Sequence, residues 1–235
     1  MTTFYLIRHG QASFGAAHYD QLSELGRRQC TLLGEWWRNA GLPVHGIMVG
    51  AMQRHRQSAA AFWHGYGAPA ELGSDHWQVD RGLNEFDHEQ VLYAAFPELA
   101  DPAALATMLA KSDNPKATFQ QLFEQGLARW MDGQHDADYD ESWPAFQARI
   151  AQLLNGLAAA PATDHQLLFT SGGPITGICQ QLMAIPDSHV MHLLAVMMNS
   201  SITKVVNRNK RWQLISVNGV PHLDSMADRS LISYR

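Results

Sequence analysis

The sequence predicts an α/β fold: three layers, with a mostly parallel central sheet flanked by helices, and a helical insertion after Glu85. Three observations carry this. Short apolar runs at residues 4–7 (FYLI), 46–50 (GIMVG) and 166–170 (QLLFT) read as buried strands. Each of the first two precedes a helical pattern, and that alternation predicts right-handed crossovers and a largely parallel sheet. From about Glu85 to Pro161 the pattern is almost entirely helical, before QLLFT returns the chain to the core.

After Phe4–Ile7 and a loop, a helix is expected from about Ser23 to Ala40. Ser23 can cap its start, Leu25, Leu32, Leu33, Trp36 and Trp37 supply its apolar face, and Gly41 with Pro43 stops it. GIMVG follows, then a helical segment from about Met52 to Trp63 that Gly65 and Gly67 end. A short extended piece lies around Val79. The helical stretch contains DPAALATMLA, FQQLFEQGLARWM and WPAFQARIAQLLNGLAAA, punctuated by Pro97, Pro102, Pro115 and Pro144. It reads as an insertion or lid, about residues 86–161, within a single domain spanning 1–235. Trp130, Trp143 and Phe146 in this stretch can pack a core or line an apolar pocket, core packing being the commoner role. At the C-terminal end, SITKVVN and RWQLISVN flank Arg208-Asn209-Lys210 as a hairpin.

Composition narrows the function. A net charge of −5 argues against a nucleic-acid or anionic-membrane surface, so any anion site must be a local cluster of arginines and backbone N–H groups. The two cysteines, Cys30 and Cys179, sit in apolar helical patterns and read as buried thiols, which implies a reducing, cytoplasmic setting. No leader and no membrane span is expected, because the chain enters a strand at once and holds no apolar run of ~18–20 residues.

The usual cofactor and metal signatures are missing. His189 and His192 are three apart but lack an HExxH or cysteine partner set. DADYDE (136–141) begins like a calcium loop, yet Glu141 replaces the glycine at position six and Gln147 the glutamate at position twelve. Phosphate loops and GxGxxG are missing, and Ser171 lies in FTSGG rather than GxSxG. No cofactor and no metal are expected.

What remains is a set of residues placed just beyond predicted strands. Arg8 and His9 follow the first, Arg54 lies in the first turn after the second, Glu85 follows the piece around Val79, and Ser171, Gly172 and Gly173 follow QLLFT. Pro174 suits a first helical position. The carboxyl ends of parallel strands are where open α/β sheets bind ligands, and a glycine-rich helix start adds backbone donors. Two arginines, an imidazole, a carboxylate and such a helix start suit a phosphoryl group. Arginine forks grip phosphate oxygens and spread charge without metal, a neutral imidazole can take the phosphoryl group covalently, and a carboxylic acid can protonate the leaving oxygen. The imidazole's other nitrogen needs a hydrogen bond to fix its tautomer, and a loop carbonyl near Gly10 can supply it.

In these segments the chain resembles the histidine phosphatase superfamily, the phosphoglycerate mutase-like fold. LIRHGQAS is similar to its RHG signature, GAMQRHRQSA to its second-arginine segment, LNEFD to its acid segment and FTSGGPIT to its second-histidine segment. SITKV and WQLISVN resemble its closing strands. The resemblance implies His9 as phosphate acceptor, Arg8 and Arg54 as clamps and Glu85 as proton donor. Gly10, Gln11, Ser13, Ser171 and Gly172 are candidate phosphate or substrate contacts, with loop solvation equally open for Gln11 and Ser13.

Two departures stand out. Ser171 occupies the place of the family's second histidine, and Gly15 stands where mutases commonly have asparagine. A serine hydroxyl donates a hydrogen bond but carries no positive charge. The site is therefore slower, silent, or compensated by another histidine, for which His88, His165 and His222 are candidates. The leading expectation is a metal-independent phosphomonoester hydrolase with a phosphohistidine intermediate and a small-molecule substrate. Phosphoglycerate mutase-type transfer ranks second, because Phe86, Asp87 and His88 follow Glu85 where mutases carry an Arg-His-Tyr-Gly run. A weakly active protein that binds a phosphorylated ligand is the third reading.

Overall fold

The structure, a computed structural model, describes residues 1–13, 20–67, 76–161 and 164–234. The chain divides into two compact units: Met1–Glu85 with Ile150–Arg235, and Phe86–Arg149. The first unit holds a six-stranded, mostly parallel sheet. Its strands are β1 (Thr2–Arg8), β2 (Gly46–Val49), β3 (Gln78–Val79), β4 (Gln166–Thr170), β5 (Ile202–Arg208) and β6 (Arg211–Gly219), in the order β3-β2-β4-β1-β5-β6. β1 lies between parallel β4 and antiparallel β5, and every residue from Thr2 to Ile7 is buried, as a two-faced central strand requires. Asn209 and Lys210, both with positive φ (51° and 63°), make the two-residue turn between β5 and β6, the geometry whose twist matches paired strands.

Register sets the site. Arg8 pairs with Thr170, Val49 with Phe169, and Val79 with Val49. The chain therefore leaves all four parallel strands at the same edge of the sheet, with His9, Gly50, Asp80 and Ser171 as the first residues beyond them.

Helix α1 (Glu24–Asn39) starts at Ser23, whose Oγ accepts from Gly26 N at 3.0 Å, and ends at Ala40. Its buried residues include Gly26, Cys30, Leu33 and Trp37, and Leu33 and Trp37 pack in one cluster with Tyr5, Ile7, Val49, Phe62 and Phe169. Leu25 and Leu32, expected on that face, instead flank a second cluster of Val220, Leu223 and Leu231. Helix α2 (Gln53–Tyr66) runs past Trp63 and closes at Gly67 with φ 74°. Gly65 does not end it. A Cβ there would lie 2.1 Å from the Thr31 carbonyl, so Gly65 is the bare contact that lets α1 and α2 approach. Both thiols are buried, and burial pushes Cys30 up to about 11 and Cys179 up to about 12.

The second unit contains α3 (His88–Ala95), α4 (Pro102–Ala110), α5 (Pro115–Met131) and the first residues of α6 (Trp143–Ala159). Pro102 and Pro115 open their helices behind the caps Asp101 and Asn114, where a missing N–H costs nothing. Phe86, Trp130, Trp143 and Phe146 are buried against one another, so the three aromatic residues in question pack a core. No helix among the described residues is long and apolar enough to cross a membrane.

Candidate active site

β1 delivers His9 to the sheet edge, where its N–H donates to the Thr170 carbonyl at 2.9 Å. The ring is almost wholly buried, and Nδ1 lies 2.7 Å from the Gly10 carbonyl. A carbonyl can only accept, so Nδ1 carries the proton and Nε2 of the neutral ring keeps its lone pair. Burial, with the nearby Arg54, Arg8 and His55, pushes this ring well below the ordinary histidine range. Gly10 has a packing reason as well: a Cβ there would lie 2.2 Å from the Gly26 carbonyl of α1. Its N–H donates to Ser58 Oγ at 3.0 Å, and Ser58 donates to the Arg54 carbonyl at 2.6 Å. This relay ties the histidine loop to the first turn of α2.

Arg54 is buried, and its Nη1 donates to Asp20 Oδ1 at 2.8 Å. The other Asp20 oxygen accepts from Gln53 N at 2.8 Å, so a half-exposed carboxylate covers both the guanidinium and the start of α2. Arg8 Nη1 donates to the carbonyls of Met197 and, at 3.0 Å, Tyr234. A Cβ on Gly172 would sit 3.6 Å from Arg8 Nε, which places that guanidinium against the start of α7 (Gly172–Met183).

The same helix start binds Glu85, both of whose oxygens accept from Gly173 N, at 3.1 and 3.2 Å. Pro174 is the third helical residue, not the first, because the helix begins at Gly172. Ser171 is the cap residue of α7, yet it makes no capping bond. The Gly173 N–H is taken by Glu85 and Pro174 has none, so the hydroxyl turns elsewhere. It meets His55 Nε2 at 2.7 Å.

His55 is the residue that sequence analysis missed. Its ring is fully buried in the first turn of α2, and its centroid lies 5.9 Å from that of His9. Burial and Arg54 push it well below the ordinary histidine range. Gly50 makes room for it: a Cβ there would lie 2.1 Å from His55 Nδ1. None of the three histidines considered earlier bonds to Ser171. His222 bonds Ser200 Oγ at 2.8 Å, His165 lies 3.3 Å from the Tyr5 hydroxyl, and His88 opens α3 in the other unit. The one signal for His55 was its place beside Arg54 in QRHRQ.

The structure brings Arg8, His9, Arg54, Glu85, Ser171 and Gly172 to one edge and adds His55 and Asp20. Gln11 and Ser13 are tied to neighbouring loop and helix. Gln11 Oε1 accepts from Ser23 Oγ at 2.8 Å and its N–H donates to Gln29, while Ser13 N donates to the Gln21 carbonyl. Gly15 lies outside the described residues. A neutral imidazole with a lone pair on Nε2, in the field of the Arg8 and Arg54 guanidiniums, can attack an anionic electrophile.

The folds of several solved structures match over nearly their full length. A phosphoglycerate mutase from Bacillus anthracis is 17% identical, with TM-score 0.62 and 95% of each chain covered. A phosphoserine phosphatase from Entamoeba histolytica, in complex with 3-phosphoglyceric acid, is 18% identical, with TM-score 0.62 and 95% of this chain and 100% of that one covered. A mycobacterial glucosyl-3-phosphoglycerate phosphatase with inorganic phosphate is 22% identical, with TM-score 0.59 and 94% and 99% covered. Curated protein sequences give no significant match. The model of the histidine phosphatase superfamily (branch 1) matches residues 4–219, and on that extent the chain belongs to this superfamily.

Proposed function

We propose that the protein is a metal-independent phosphomonoester hydrolase that works through a phosphohistidine on His9. The observation that carries this reading is the 2.7 Å bond from His9 Nδ1 to the Gly10 carbonyl, which leaves Nε2 as the nucleophilic nitrogen of a neutral ring. Nε2 attacks phosphorus as the bond to the ester oxygen breaks, and Glu85, as the acid, gives its proton to that oxygen. Glu85 then takes a proton from water, the resulting oxygen attacks phosphorus, and the N–P bond breaks to return free His9 and inorganic phosphate. Arg8 and Arg54 hold the phosphoryl oxygens and spread the developing charge, with Asp20 competing for the Nη1 donors of Arg54.

Hydrolysis is favoured over isomerisation by the residue after Glu85. Phe86 is buried in an aromatic core, where a mutase of this family would place a cation to hold the rest of its substrate. The solved phosphatases of this fold, whose ligands include phosphoserine, 3-phosphoglyceric acid and inorganic phosphate, support small phosphorylated metabolites as the substrate class. The test is a panel of phosphomonoesters with product analysis, run on wild type and His9→Ala. Release of inorganic phosphate that requires His9 supports the reading. Positional isomers of the substrate as products would favour the mutase, and tight phosphate binding without turnover a binding protein.

A further inference from the structure

The contact between His55 and Ser171 joins two residues 116 positions apart, at the corner where the superfamily places its second histidine. Both side chains are fully buried. Two proton arrangements fit the 2.7 Å separation. If Ser171 donates to Nε2, its single hydroxyl proton is used, and His55 must carry its own proton on Nδ1. If Nε2–H donates to Ser171 Oγ, the hydroxyl proton remains for another acceptor and Nδ1 is a bare lone pair. Nδ1 has no hydrogen-bond partner among the described residues, and the Gly50 backbone covers that edge of the ring. With a phosphoryl oxygen at His9 accepting the Ser171 proton, the second arrangement leaves only a bare acceptor at Nδ1, where the first leaves a buried donor unpaired, and this selects the second arrangement in the phosphate-bound site. Burial beside Arg54 keeps the ring neutral, so it holds one proton and not two.

We infer that His55 is a positioning residue: its Nε2–H donates to Ser171 Oγ and turns the Ser171 hydroxyl proton toward the phosphoryl oxygens held at His9. Two side chains, one from α2 and one from the end of β4, thus occupy the place of a single imidazole. Gly50 is the third part of the device, because any side chain there would displace the ring. The inference rests on the phosphoryl-transfer reading of the site, and its test separates the two.

The first measurement needs no variant beyond assignment. Nitrogen NMR of the ¹⁵N-histidine protein saturated with inorganic phosphate, with His55→Gln to assign the signal, should show His55 protonated on Nε2 and His9 on Nδ1. A His55 ring protonated on Nδ1 overturns the inference whatever the enzyme does. The second is a cycle on an activated phosphomonoester: wild type, His55→Leu, Ser171→Ala and the double variant. His55→Leu should lower kcat on the order of 10²-fold, as for loss of one oriented donor. His55→Gln, whose amide can still donate to Oγ, should recover most of that loss. Adding His55→Leu to Ser171→Ala should cost little further, since the group it orients is already gone. Multiplying effects would overturn the inference, as would equal losses in His55→Leu and His55→Gln. If wild type turns over no ester, the hydrolase reading fails instead. The cycle is then read as affinity for inorganic phosphate, with the same non-additivity expected and the same multiplication overturning it.

Discussion

Replacing Ser171 by histidine tests how far this pocket has been rebuilt. Ser171→His restores the residue type the superfamily uses there, and on the sequence alone it is the natural repair of a weakened site. The structure predicts the opposite outcome. Ser171 is fully buried, and its Oγ lies 2.7 Å from His55 Nε2, so an imidazole must enter space the His55 ring already fills. Overpacking of this kind costs about 1–3 kcal/mol. For a chain of this size that is a Tm fall of roughly 2–12 °C. Turnover should fall as well, on the order of 10²-fold, because the displaced rings no longer orient a donor. Ser171→His combined with His55→Ala relieves the overlap, and the pair should regain both Tm and kcat/KM relative to the single variant. The assay is thermal unfolding together with kcat/KM on one activated phosphomonoester for both variants and wild type. A Ser171→His protein as stable as wild type and faster would refute the reasoning, since it would mean that His55 does not occupy this corner.

Other outcomes follow from the same geometry. Glu85→Gln should slow alkyl phosphates far more than activated aryl phosphates, whose leaving groups depart without a proton; equal losses would assign Glu85 a positioning role. Arg54→Lys keeps charge but loses the fork, so titration calorimetry should record weaker inorganic phosphate binding, whereas Asp20→Asn removes the internal competitor and should tighten it. Unchanged affinity in both variants would separate Arg54 from the phosphate site. Stability should decline as pH falls below the unfolded histidine value of about 6.5. His9, His55 and His222 are held below that value in the fold, so the unfolded chain binds more protons there. For His222, held by burial at about 3, the loss extends down to that pH, and His222→Gln should flatten the curve measured by denaturant unfolding.

Much of the sheet and its neighbouring helices is legible in the sequence because the signals are local. Phe4–Ile7 is a continuous apolar run, Ser23 caps its own helix, and the hairpin around Asn209-Lys210 needs only its turn. The ends of α2 and α7 are less legible because distant parts of the chain decide them. Gly65 reads as a terminator until Thr31 of α1 is seen against it. Pro174 reads as a first helical residue until Glu85 is seen to bind the N–H one position earlier. The candidate site divides in the same way. Arg8, His9, Arg54, Glu85 and Ser171 are singled out by position, each beyond a strand. His55 and Asp20 are not, since one sits between two arginines and the other in a loop, and each acquires meaning only from a partner far away in sequence. In the sequence His88, His165 and His222 are as eligible to compensate for Ser171 as His55, because adjacency to Arg54 gives no hint that the ring crosses to the end of β4.

The central claim is that His9 accepts the phosphoryl group on Nε2. It is tested most directly by rapid acid-free quenching during turnover of a ³²P-labelled phosphomonoester, followed by peptide mapping and phosphorus NMR of the trapped protein. The account predicts an acid-labile, base-stable phosphoryl group on Nε2 of His9 and none in His9→Ala. Sustained turnover in His9→Ala, or a phosphoryl group trapped on any other residue, would contradict it.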